Sequence, residues 1–186
     1  MPARMPRRLL MLLCAALLAA GPVACGTSDT KQGIDEPARE GLALPLDGID
    51  YNVFITRELN PRITPDKSYV PAGTEADATH TLYGVFIQSC NRSDDSHQTT
   101  DRFKIVDNQG NEFEPEKLPT DNDFAYRSTE LMPNECIPEA GSVAQLGPTA
   151  GSMLLFRLPL ANTEYRPLEL EIEGAGGQHL TYDLDI

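Results

Sequence analysis

Tryptophan is absent from this 186-residue chain, and aromatic residues make up only 6% of it. A core built without Trp has to be filled by Leu, Ile, Val, Phe and Tyr. Basic residues are scarce: 15 Lys and Arg stand against 28 Asp and Glu, for a net charge of −13. Nucleic-acid binding needs clustered Lys and Arg, so the charge excludes that partner class and argues against adsorption to anionic headgroups. Long apolar runs are missing too. The one sizeable run, Leu9 to Ala20, is too short to span a bilayer as a mature helix. There is no Gly-x-Ser-x-Gly, and none of the three histidines (His80, His97 and His179) sits in a nucleophile motif. Hydrolytic catalysis needs a nucleophile, a base and an orienting acid, and no such set is legible. The expectation is therefore no catalytic residue and no cofactor. Beyond residue 24 the chain keeps just Met132 and Met153, too few for the Met and His clusters of copper handling.

What is present begins at the N-terminus. Arg4, Arg7 and Arg8 precede the apolar run, which narrows into Gly21-Pro22-Val23-Ala24-Cys25. A positive start, a short apolar core and small residues before a cut describe an export signal over residues 1–24. Cys25 directly after Ala24 resembles the bacterial lipobox, whose thiol receives a diacylglyceryl group and becomes the new N-terminus; Pro22 stands where that motif commonly has Leu. Loss of the signal removes three Arg and no acid, taking the net charge from −13 to −16. The expected location is the extracytoplasmic face of a cell membrane, with the membrane itself a partner through the lipid on Cys25.

Cys14 lies inside the signal, so Cys90 and Cys136 remain as the one pair free to form a disulfide, which an exported compartment permits. Residues 25–46 are polar and non-periodic for most of their length and read as a tether. Leu42, Leu44 and Leu46 are the members of that stretch able to dock on a domain edge.

The remaining 47–186 reads as a single domain of short strands. Ile49 to Leu59 places Ile49, Tyr51, Val53 and Ile55 on one face. After a Pro-rich loop, Thr79 to Cys90 is apolar on both faces, which suits a central strand. Phe103 to Val106 and Asn111 to Glu114 flank Asp107-Asn108-Gln109-Gly110 as a hairpin. Leu118 to Thr149 is a long connection, stapled by Cys136. Met153 to Leu158 is an apolar strand, and two alternating strands around Gly174–Gly177 close the chain, with Leu168, Leu170, Ile172, Leu180, Tyr182 and Leu184 inward and acids outward. Fifteen Pro and fourteen Gly with no amphipathic helix point to an all-β sandwich of about seven antiparallel strands.

Tyr83-Gly84-Val85-Phe86-Ile87, Phe103-Lys104-Ile105-Val106-Asp107 with Gly110 and Phe113, and Gly151 to Pro159 followed by the Leu168–Ile172 strand form a recognisable order. Over roughly residues 47–186 this resembles the immunoglobulin-like domain of unknown function found in surface lipoproteins of mainly Gram-positive bacteria, a fold similar to that of small secreted mycobacterial antigens. The resemblance implies an immunoglobulin-like sandwich and no transferable activity.

Asp94-Asp95-Ser96-His97, with Asp101 nearby, supplies ligand types suited to a divalent ion, but the spacing matches no established site. Asp121-Asn122-Asp123 lacks the Gly and Glu of a calcium loop. No metal is expected. Asn91-Arg92-Ser93 fits the glycosylation sequon by composition alone. Glu169, Glu171 and Glu173 read as a solvated strand face, and Tyr83 and Phe86 as core. The combined reading is a lipid-anchored module that binds a protein or a small molecule; the alternative is a structural or assembly component of the cell envelope.

Overall fold

In the computed structural model, residues 36–75 and 77–186 are described. The export signal, the Ala24-Cys25 junction and the first part of the tether lie outside the described residues. Among the described residues no helix is long and apolar enough to cross a membrane.

Twelve strands form the body: β1 Ala38–Arg39, β2 Ala43–Leu46, β3 Ile49–Glu58, β4 His80–Asn91, β5 His97–Gln98, β6 Phe103–Val106, β7 Glu112–Phe113, β8 Glu130–Leu131, β9 Cys136–Ile137, β10 Ser152–Pro159, β11 Glu169–Glu173 and β12 His179–Asp183. One short helix, α1 Val143–Leu146, interrupts the long connection; Ser142 caps it by accepting from the backbone N–H of Gln145. The first sheet runs β1-β12-β11-β6-β7. The second runs β10-β4-β3-β2 with β9 also on β4, and β5 pairs with β8. Seven strands have four or more residues. Pairing between the named strands is antiparallel except for β1, which joins β12 in parallel. With β3, β4 and β10 in one layer and β6, β11 and β12 in the other, the strands divide as in the ABE and CFG layers of an immunoglobulin-type sandwich.

The expected inward set of the last hairpin, Leu168, Leu170, Ile172, Leu180, Tyr182 and Leu184, is buried throughout. These residues meet Tyr51, Val53, Tyr83, Val85, Ile87 and Phe156 from the opposite sheet in one core. The double-sided apolar pattern of β4 has a specific cause. Leu82 and Phe86, with Met153 and Leu155 of β10, face away from that core and are covered by Leu59, Tyr69 and Val70. Tyr69 stands edge-on to Phe86 and to Phe124, with ring centroids 5.0 and 4.8 Å apart. The Pro-rich loop is thus a cover for a second core. Asp66 pins it: its carboxylate accepts from Arg57 at 2.8 Å and from the Asn60 backbone at 3.0 Å.

Two expectations are corrected. Residues 36–46 are not tether: β1 pairs with β12, β2 pairs with β3, and the folded body starts upstream of residue 47. The reason is local. Asp47 and Gly48 both adopt positive φ (51° and 83°), so β2 and β3 form a tight two-residue hairpin. Glu40 then ties this segment to the body, accepting from the backbone of Thr56 at 3.1 Å and of Asp185 at 3.3 Å. The other correction concerns Ile55. The register slips between Val53 and Ile55, placing the side chain opposite Phe86 rather than on the face of Val53, and leaving it 39% exposed. A bulge at Phe54 inserts the extra residue and flips the alternation.

The β6–β7 hairpin closes around Gly110, whose φ of 79° suits the turn. Its organiser is Asp107, buried with a carboxylate that accepts from the backbones of Gln109 and Asn111 and from the side chains of Asn111 and Asn162. Burial opposes ionisation, but these hydrogen bonds outweigh it and hold the pKa down at about 2. A carboxylate depressed from 3.8 stabilises the fold fully above about pH 4, and that contribution is lost as the pH falls towards 2. Asp107→Asn should therefore be less stable than wild type at pH 5, with the gap in urea midpoint closing between pH 4 and 2. A gap independent of pH would contradict this assignment.

A cleft at the sandwich edge, and the disulfide behind it

Cys90 and Cys136 are bridged, with Cα atoms 4.1 Å apart, and sit directly opposite each other in the β4–β9 pair. The bridge closes the loop that carries β5, β6, β7 and β8. The sequon residue Asn91 is fully buried, and its side-chain amide donates to the carbonyls of Asp95 at 2.6 Å and Leu131 at 2.9 Å. It shapes the 91–97 loop and offers no acceptor nitrogen to a glycan.

The Asp94–His97 segment is not assembled around a cation site. The His97 ring lies over Gly48, so close that a Cβ there would fall 2.5 Å from it, and His97 pairs with Leu131 in the β5–β8 ladder. Among the described residues no group of three His, Cys, Asp or Glu is placed to share a metal ion. His80 accompanies Asp77, with Nδ1 2.9 Å from its carboxylate, and His179 pairs with Glu173 across the last hairpin. Tyr83 and Phe86 are core residues.

The acids on the outer face of the first sheet are partly tied down. Lys104 lies 2.7 Å from Glu112, 3.0 Å from Glu171 and 3.6 Å from Glu173, and the hydrogen bonds to Glu112 and Glu171 raise its pKa. Glu169, directly opposite Asp183, has its pKa raised by burial and by the charges of Asp183 and Glu171.

The concave feature that sequence reasoning missed lies beside these residues. Beyond β7 the chain crosses from the first sheet to the outer edge of β10 and covers it, the backbone of Glu116 donating to Leu155 and that of Tyr126 to Met153. The crossing leaves a cleft of about 860 Å³ between β6, residues 112–118 and residues 126–128. Phe103, Tyr126, Met153 and Leu154 form its floor; Asp101, Arg102, Lys104, Glu114, Lys117 and Arg127 are among its walls. Tyr126 stands edge-on to Phe103, with centroids 5.0 Å apart, and its hydroxyl donates to the Thr100 carbonyl at 3.1 Å. The Thr100 backbone in turn donates to the Tyr51 hydroxyl at 2.8 Å, and the Tyr182 hydroxyl donates to the Tyr51 carbonyl at 2.6 Å. This buried polar thread fixes the cleft floor to the centre of the sandwich; burial raises the pKa of each of the three tyrosines. A second cleft of about 630 Å³ adjoins the disulfide, lined by Glu130, Glu135, Glu139, Gln88 and Ile137 among others.

No family model matches the chain, and no curated protein matches it in sequence. Among solved structures, the yjhA protein of Bacillus subtilis superposes with a TM-score of 0.52 at 10% identity, over 80% of this chain and 99% of its own. The ycdA protein of Bacillus subtilis, provisionally described as a lipoprotein, gives 0.50 at 9% identity, over 77% of this chain and 38% of its own. An uncharacterized β-sandwich protein of Clostridium difficile gives 0.46 at 12% identity, over 81% of this chain. At such identities the likeness is one of fold.

Proposed function

We propose that this chain is a lipid-anchored, extracytoplasmic β-sandwich lipoprotein of the immunoglobulin-like type, tethered through Cys25 and acting by binding at the cleft beside β6 and β7. The observation that carries the binding role is the cleft itself, a concavity with convergent polar walls, of the size ligand sites have. A scaffold component would instead present a broad apolar patch. The description of the ycdA protein as a lipoprotein supports the anchoring, as does the Ala24-Cys25 junction after an apolar run of signal length.

Strand β1 begins thirteen residues after Cys25, so even a fully extended connection reaches at most about 45 Å.

Cys25→Ser should release the protein from the membrane fraction or leave it unprocessed with its signal attached. Metabolic labelling with a fatty acid checks this: label should enter wild type and not the variant. Equal incorporation into both would sink the anchor.

A further inference from the structure

We propose that the cleft takes a short neutral glycan, an assignment that rests on the cleft being the binding site. The first argument is charge. Lys104 is already engaged by Glu112, Glu171 and Glu173, and Glu116 by Arg157 at 2.6 Å. Arg102 donates to the Gly174 carbonyl and Arg127 to the Pro119 carbonyl, bonds that leave their charges without a carboxylate partner, so with Lys117 they face Asp101 and Glu114 around the opening. In a chain of net charge −13 this is a place of near balance. Its carboxylates oppose a polyanion and its guanidinium groups oppose a polycation.

The apolar content is equally telling. Phe103, Met153 and Leu154 are only 5%, 1% and 6% exposed, so a hydrocarbon ligand would gain little buried area from them. A peptide docking by strand addition needs a free backbone ladder. At the β10 side of the cleft the ladder is taken: Glu116 donates to Leu155 at 2.7 Å, Tyr126 to Met153 at 2.9 Å, and Met153 to Phe124 at 2.6 Å. On the other wall Pro115 has no N–H to give. What the cleft does offer is a rim of planar hydrogen-bonding side chains: the carboxylates of Asp101 and Glu114, and the guanidinium groups of Arg102 and Arg127, each of which keeps further N–H groups beyond the one given to a backbone carbonyl. Donors and acceptors of that shape match the paired hydroxyls of a sugar ring, each of which both gives and takes a hydrogen bond.

The test is hydrogen–deuterium exchange on the purified full chain in detergent. The probes are millimolar neutral (chitotetraose, maltotetraose), acidic (tetragalacturonate) and cationic (glucosamine tetramer) oligosaccharides, and a pool of acidic and basic decapeptides. Slowed exchange over residues 112–118 and 126–129 with the neutral oligosaccharides is expected. Their affinity, measured by calorimetry, should fall at least tenfold in Glu114→Ala/Arg127→Ala, a pair of exposed positions whose loss leaves the core intact. Protection of the same segments by charged oligosaccharides or peptides, but not by neutral glycans, would overturn the ligand class and leave the cleft as the site. Protection elsewhere, no protection by any probe, or affinity unchanged in the double variant would overturn the site as well.

Discussion

Leu170→Asp is expected to leave the sandwich unfolded at room temperature, while Glu171→Gln, one residue along, stays folded. Leu170 is fully buried and paired on one side with Tyr182 and on the other with Ile105, at the middle of the first sheet. A carboxylate placed there has no partner. The charge or its forced neutralisation costs several kcal/mol against a total stability of roughly 5–15 kcal/mol. Glu171 points the other way. Its carboxylate sits 3.0 Å from Lys104 with about a quarter of its side chain exposed, and a partly solvated pair of this kind is worth at most about 1 kcal/mol. Urea melts of the two variants check the claim. Equal destabilisation would mean that the strand faces are reversed, as a one-residue slip of register would produce.

Removing the disulfide carries the second large effect. Cys90 and Cys136 are 46 residues apart, and in the chain-entropy account a loop of that size constrains the unfolded state by about 4 kcal/mol. With a urea dependence of about 2 kcal/mol per molar, replacing both cysteines by serine should lower the midpoint by roughly 2 M. Local contacts do not replace the bridge. β8 and β9 are two residues each, and the β5–β8 pair rests on side-chain bonds such as Ser96 to Glu130 at 2.6 Å and Gln98 to Ser128 at 2.8 Å. A midpoint shift below a few tenths molar would show that the reduced chain holds this loop unaided.

The strongest pattern in the chain, acids alternating with Leu168, Leu170, Ile172, Leu180, Tyr182 and Leu184, was legible because a period of two has a single outcome once one face is buried. The continuous apolar run of β4 was legible as a central strand, but what covers its outer face was not. That cover depends on Tyr69 and Asp66, separated from β4 by a Pro-rich stretch whose conformation no local periodicity encodes. Residues 36–46 were misread although a signal existed: Leu42, Leu44 and Leu46 alternate directly before Asp47-Gly48, a strong two-residue hairpin sequence. Ile55 was misplaced because a bulge costs one residue of register and leaves no mark in composition. The cleft was the least legible feature. It arises where a segment poor in strand signal, 114–128, bonds to the edge of β10 far along the chain, so its walls combine residues that are neighbours only after folding.

Among the candidate site residues, Cys90 and Cys136 were identified by elimination within an exported chain, and they are bridged. The Asp94–His97 segment had ligand types in a row, yet side chains on a short loop diverge unless something draws them together. Here Asn91 organises the loop backbone and His97 turns away onto Gly48. Asp107, by contrast, read simply as the first residue of a turn, and its role as a buried acceptor for three residues became evident once Asn162 was seen to approach from elsewhere in the sequence.

The claim on which the account turns is that an acidic β-sandwich is held at the membrane by lipid on Cys25. The most direct measurement is the mass of the N-terminal tryptic peptide, Cys25 to Lys31, from protein isolated from membranes of the producing cell. The account predicts that the mature chain begins at Cys25 and that this peptide carries a diacylglyceryl group on its thiol. A peptide of the same span with a free thiol, or a mature chain beginning at any other residue, would contradict it.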